Sequence, residues 1–227
     1  MTTAVIESLE KRFSPAQRFE IRAEPGGPER IIGHAAVFNQ WSPIWEGFRE
    51  RILPGAFAAS LREIAADPDG DVIAMDYHQD PKPLGSLKSG HLVIREDEAG
   101  LYTEITPTDT TYARDLKTNI GAGVIRRMSF RFTVRPGGEN WTDGQDGIPE
   151  RTLSDLNIIE VSPVLFAYYP GTDASMRSLH PDVALRSLES WKRDHQPKSY
   201  AASRAAKRMH LDLIARRIPL RTQETHA

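Results

Sequence analysis

The sequence predicts a mainly β protein of the α+β type, an antiparallel barrel or sandwich with two or so helices, followed by a helical C-terminal appendage. Three observations predict it. Short alternating or apolar stretches recur at close spacing between turn residues. Only two or so segments of the body have helical spacing. The charge then changes sign near the C-terminus. The 227 residues carry 29 Lys and Arg against 31 Asp and Glu, a net charge of −2. Residues 185–227 alone hold ten basic and four acidic side chains, about +6, which leaves the remainder at about −8. Residues 1–17 are expected to be an N-terminal extension, 18–175 the folded domain, and 176–227 a basic helical tail.

Taken in order, residues 1–30 are polar, with a turn at Pro25-Gly26-Gly27-Pro28. Residues 19–23 alternate as a first strand, and 30–38 form a second, closed by Asn39-Gln40-Trp41-Ser42-Pro43. Residues 48–52 are a short extended piece. Pro54-Gly55 turns the chain into an alanine-rich helix over 56–64, which Asp67-Pro68-Asp69-Gly70 ends. Strands are expected at 71–78, 84–87, 91–95 and 101–105. A helix over 111–120 takes Thr110 or Thr111 as its cap and Gly121 as its stop. Residues 135–150, rich in Gly, Asp and Asn, read as a loop or hairpin. Residues 151–166 alternate as one late strand, closed by Tyr169-Pro170-Gly171-Thr172. Beyond 175, residues 183–188 and 201–217 are helix-prone and basic.

The sequence holds no cysteine, which excludes disulfides, thiolate catalysis and cysteine metal sites. No apolar run approaches the ~18–20 residues of a membrane span. The N-terminus lacks a basic segment followed by an apolar one, so no secretion signal is expected, and synthesis in the cytoplasm fits. The basic tail lacks interleaved aromatics and a nucleic-acid-binding signature, so no specific nucleic-acid partner is expected.

Residues 124–134 are the most informative stretch. Met128, Phe130, Phe132 and Val134 fall on one side of a strand, and Arg127, Ser129, Arg131 and Thr133 on the other. Alone, Ser129 is an ordinary solvated serine. His78 closes a strand beside the proline turn Asp80-Pro81-Lys82-Pro83, a rigid support for general-base work, although a solvated loop histidine is the commoner case. On a strand over 154–164, Glu160 shares a face with Leu156, Ile158, Ser162 and Val164. A carboxylate on such an apolar face needs a partner, and an imidazole would serve. An edge glutamate reaching water is at least as common. His78, Ser129 and Glu160 would supply base, nucleophile and orienting acid, with Asp155 as the alternative acid. A divalent metal bound by Asp76, His78 and Asp80 is a weaker alternative. His34 and His91 are expected to be structural.

Gly33-His34-Ala35-Ala36-Val37-Phe38-Asn39, Glu50-Arg51-Ile52-Leu53-Pro54-Gly55-Ala56-Phe57, and Tyr77-His78-Gln79-Asp80 with Pro83-Leu84-Gly85 resemble the prohead proteases of tailed bacteriophages. So do Gly100-Leu101-Tyr102, Met128-Ser129-Phe130-Arg131-Phe132, and Ile159-Glu160-Val161-Ser162-Pro163-Val164 with Tyr169-Pro170-Gly171-Thr172, in unbroken order over about 18–175. The resemblance implies a serine endopeptidase that works inside the immature capsid, in the cytoplasm of the bacterial host, without a cofactor. It would cleave scaffold segments, the major capsid protein and itself. It also implies a fold similar to the herpesvirus assemblins, a small antiparallel β-barrel surrounded by a few helices, whose activation by dimerisation puts a homodimer among the partners allowed. By motif, His78 and Ser129 match the family's histidine and serine. Assemblins use a second histidine, but none follows Ser129 before His180, and Glu160 is chosen instead. The residue after Phe130 is often glycine in the family and is Arg131 here. The same fold without catalysis, as a capsid-assembly protein, is the rival.

Overall fold

Alternating sequence and frequent turns give a strand-rich chain, but the strands are shared among three sheets. The computed structural model describes residues 10–13, 20–23, 25–144, 146–165 and 181–195. Among these the order is β1 (Glu10–Phe13), β2 (Glu20–Arg22), β3 (Arg30–Val37), β4 (Arg49–Ile52), α1 (Ala58–Ala66), β5 (Ile73–Met75), β6 (Pro83–Ser86) and β7 (Leu92–Glu96). There follow β8 (Gly100–Ile105), α2 (Thr111–Gly121), β9 (Arg127–Val134), β10 (Glu139–Asp143), β11 (Pro149–Leu153), β12 (Leu156–Val164) and α3 (Pro181–His195).

A five-stranded sheet runs β1-β9-β12-β5-β6, a three-stranded sheet β10-β11-β4, and a four-stranded sheet β2-β3-β8-β7. None of them closes into the expected barrel. Two pairings are parallel, β12 with β5 and β11 with β4, and each joins strands distant in the chain. Such crossovers divide the strands among open sheets instead of passing them round a ring.

One apolar core lies between these layers. Phe57, fully buried, sits between Phe38 at 6.5 Å and the edge-on ring of Phe130 at 5.7 Å, and Phe130 stacks on Phe132 at 5.2 Å. The residues of β9 expected to point inward therefore do so.

Several local features refine or depart from the expected elements. The expected 71–78 strand stops at Met75, and Tyr77 and His78 take left-handed backbone angles, φ 54° and 58°. The expected 151–166 strand divides at residues 154–155, where Gly138 O accepts from both Ser154 N and Asp155 N. A Cβ at Gly138 would lie 2.1 Å from Asp155 O, so only glycine permits this approach. The residues expected as a loop or hairpin form the hairpin β10–β11. The N-terminal extension contributes β1, an edge strand on β9. In α2, Thr110 Oγ1 caps Ala113 N as expected, but Gly121 lies inside the helix and Ala122 ends it.

The chain divides into two compact units, Met1–Arg186 and Ser187–Ala227. The last helix carries Asp182 in its first turn and Lys192, Arg193 and His195 in its last, matching its dipole. The turn at 169–172 and the helix expected over 201–217 lie outside the described residues.

Because Phe57 bridges two aromatic neighbours in the core, Phe57→Ala is expected to lower stability by about 3–5 kcal/mol. Urea denaturation of the full chain checks this, and a loss below about 1 kcal/mol would contradict the packing described.

Candidate active site

Strand β9 places Ser129 between two neighbours, opposite Ser162 of β12 and opposite Phe13 of β1. The face expected to meet solvent is instead covered, and Ser129 is 0% exposed. Arg131 is buried on the same face. The reason is positional: β9 is an inner strand once β1 is paired to it, and a histidine-bearing loop lies across that face.

Glu160 reaches this face through an irregularity in β12. Leu156 and Ile158 pair with Val134 and Phe132, yet Glu160 pairs with Arg131, so one extra residue, Ile159, is accommodated between them. The bulge changes the side to which the following residues point. Val161 and Pro163 now oppose the core residues Phe130 and Met128, while Glu160 and Ser162 oppose Arg131 and Ser129. Glu160 is therefore not on the apolar stripe that strict alternation assigns to it. The Ile158 N–H at the bulge donates to Ser60 Oγ of α1 at 3.1 Å, which satisfies a buried backbone group.

His78 completes the line. Its Nδ1 lies 2.5 Å from Glu160 Oε2 and its Nε2 2.6 Å from Ser129 Oγ. The carboxylate has no proton to offer, so Nδ1–H donates to Glu160, and Nε2 is left to accept from the serine hydroxyl. The backbone around the ring is held just as closely. His78 N donates to Ser162 Oγ at 2.9 Å, and the Ser162 hydroxyl donates to Glu160 Oε1. Arg131 Nη2 donates to the His78 carbonyl, and its Nη1 donates to Asp80 Oδ1 at 3.0 Å. Arg131 Nε lies 3.3 Å from Glu160 Oε2, close enough for attraction but outside hydrogen-bond geometry. Two consecutive non-glycine residues in the left-handed region carry a conformational cost, and these contacts hold them there.

Sequence reasoning missed Ser162 and Arg131 as parts of the site. The alternation of Glu160 with Ser162 was visible, but only the bulge turns the pair toward His78. Arg131 stood out as a departure from glycine, and its role lies in the distances it spans.

Strand β1 runs directly beside the nucleophile's strand. Ser129 Oγ is 2.9 Å from the carbonyl oxygen of Arg12. The C=O bond is about 1.2 Å long, so the Arg12 carbonyl carbon is within about 4.1 Å of the hydroxyl oxygen. A hydroxyl has one proton, which it gives either to the Arg12 carbonyl oxygen or to His78 Nε2.

The other candidates lie elsewhere or make other contacts. Asp155, the alternative acid, is half-exposed and 3.5 Å from Arg135. Asp76 is 3.8 Å from Lys82 Nζ, and burial pushes its carboxyl up against the opposing pull of that lysine. Asp80 is bonded to Arg131. Asp76, His78 and Asp80 thus do not converge, and among the described residues no three His, Asp or Glu side chains gather as they would around a metal ion. His34 is paired with Asp97 at 2.9 Å, and His91 donates to Thr106 O at 2.7 Å. His195 lies on α3, while His180, His210 and His226 lie outside the described residues. No helix among the described residues is long and apolar enough to cross a membrane.

A serine, an imidazole and a carboxylate joined in one hydrogen-bonded line are the arrangement of the serine hydrolases. The Caudovirus prohead serine protease family model matches residues 17–187. The chain belongs to that family, and it is a serine protease. No curated protein matches the chain. Among solved structures it is similar to the capsid assembly protease gp21 of bacteriophage T4, at 12% identity and a TM-score of 0.40, covering 69% of this chain and 96% of that one.

Ser162 both supports the His78 backbone and binds Glu160, in a buried setting where such a bond to a charge contributes about 1.5–3 kcal/mol. Ser162→Ala is therefore expected to slow labelling of Ser129 by a fluorophosphonate about 10- to 100-fold and to lower stability by about 1.5–3 kcal/mol. An unchanged labelling rate would show that Ser162 does not position the site.

Proposed function

We propose that the protein is the endopeptidase of phage capsid maturation, and that Ser129, His78 and Glu160 are its catalytic residues. The single observation that carries this is the unbroken line from Ser129 Oγ through the His78 ring to Glu160, at 2.6 and 2.5 Å. Ser129 Oγ attacks the scissile carbonyl carbon while His78 Nε2 takes its proton. The carbon–nitrogen bond then breaks, and His78 returns the proton to the leaving amine. Water, activated by the same imidazole, hydrolyses the ester. Glu160 keeps the proton of the neutral ring on Nδ1 and stabilises the imidazolium, a role that its burial strengthens. This chemistry calls for no cofactor.

The substrates in this reading are scaffold segments, the major capsid protein and the enzyme itself, within the immature capsid in the bacterial cytoplasm. Membership of the prohead protease family supports capsid proteins as the substrate class. The division into 18–175 as the catalytic domain and 176–227 as a basic tail belongs to the same proposal, with the tail docking on acidic scaffold and later removed. The relation to the herpesvirus assemblins, and with it a homodimer, is likewise proposed from the family resemblance.

Two measurements test these points. Co-expression with the cognate capsid and scaffold proteins is expected to give processed capsid protein, with Ser129→Ala lowering the rate by about 10⁴- to 10⁶-fold. Equal processing by the variant would rule out Ser129 as the nucleophile. Deleting 185–227 is expected to prevent incorporation into proheads, and unchanged incorporation would remove the docking role of the tail.

A further inference from the structure

Strand β1 meets residues of opposite charge at two positions. It pairs antiparallel along β9, so it occupies the edge where an extended peptide would add as a strand. Glu10 and Arg12, two residues apart, point to the same side, and each enters a buried site of opposite charge. Glu10, 0% exposed, receives a two-pronged contact from Arg151 of β11, Nη1 at 2.7 Å and Nη2 at 2.8 Å. Burial alone would raise the Glu10 carboxyl, but Arg12 and Arg151 outweigh it and hold the group below its ordinary value. Arg151 is itself 1% exposed and is held by Glu139 of β10 through Nε at 2.6 Å. The Arg12 guanidinium is bound by Glu50 of β4 through Nε and through Nη2 at 3.0 Å, and it lies 4.9 Å from the Trp45 ring and 5.5 Å from that of Phe132. It also contacts Glu10 at 2.6 Å.

These contacts are too specific for a mere cover. An exposed edge strand needs no buried ion pairs, and isolated charges buried there would be costly. Arg151 keeps Glu139 and Glu50 when β1 is absent, so these positions retain one organised cation and one organised anion facing an incoming chain. Ser129 Oγ contacts the Arg12 carbonyl oxygen, so in this register the two charged sites fall at the residue whose carbonyl lies beside the nucleophile and at the residue two before it.

Resting on the protease reading above, we infer that the enzyme selects substrate segments with an arginine or lysine before the scissile bond and a glutamate or aspartate two residues earlier. Glu50 and Arg151 are the specificity residues, and Glu10-Lys11-Arg12-Phe13 is the chain's own example of the substrate. Self-cleavage then joins Arg12 C to Ser129 Oγ and breaks the Arg12–Phe13 amide, the serine proton passing through His78 to the Phe13 amine. Water releases the segment ending at Arg12, and β9 regains a free edge for capsid substrates.

The test uses the full chain, a Ser129→Ala control, and quenched fluorescent peptides with the sequence of residues 8–15. The expected result is Ser129-dependent cleavage between Arg12 and Phe13. Peptides with Glu10→Gln or Arg12→Gln should lose about 30-fold or more in kcat/KM, the effect of removing one member of a buried charge pair. A Glu50→Gln enzyme should cleave the parent and the Arg12→Gln peptides at nearly equal rates, which a purely structural role would not produce. Ser129-dependent cleavage at another bond, equal rates on all three peptides, or no cleavage while fluorophosphonate still labels Ser129 would each overturn the specificity and leave the protease reading standing. Absence of both cleavage and labelling would overturn both.

Discussion

The hydrogen bond between His78 Nδ1 and Glu160 Oε2 is the contact on which the rest of the site depends. Without it the imidazole has no preferred tautomer, and Nε2 has no reason to be the face that accepts the serine proton. The bond joins residues 82 positions apart, across two strands that pair in parallel, β5 and β12. Holding it demands that the chain after β5 stop abruptly and that β12 turn a carboxylate inward. The left-handed pair Tyr77–His78 does the first, and the bulge at Ile159 does the second.

Both devices conflict with local preference, which is why the surroundings are so heavily bonded. Arg131, Ser162 and Glu160 bind the His78 backbone and ring from three directions. Residues placed in uncommon backbone regions persist where neighbouring contacts over-determine them. The same face of β9 that carries the nucleophile carries Arg131, so a single strand supplies both the reacting oxygen and the clamp on its base.

Much of this was legible in the sequence, but not its handedness or its cover. The alternation of Met128, Phe130 and Phe132 with Ser129 and Arg131 is a property of β geometry and survived folding. Glu160 was identifiable as a carboxylate needing a partner. Its face was misassigned because a single inserted residue reverses alternation and leaves no compositional mark. Strand spacing leaves barrel and sandwich open and the resemblance points to a barrel, but neither reveals that β4 and β5 pair with strands 101 and 87 residues later. Strand β1 was hidden in a polar N-terminus because Glu10 and Arg12 look solvated until Arg151 and Glu50 are brought to them. Long-range charge pairing of that kind has no local signal.

The most direct test of the assembled line is the proton NMR signal of His78 Nδ1–H in the full chain. A strongly downfield imidazole resonance that persists in Ser129→Ala and is lost or moved far upfield in Glu160→Gln is the expected result. Its absence from the otherwise folded protein, or its indifference to Glu160→Gln, would contradict the site as described.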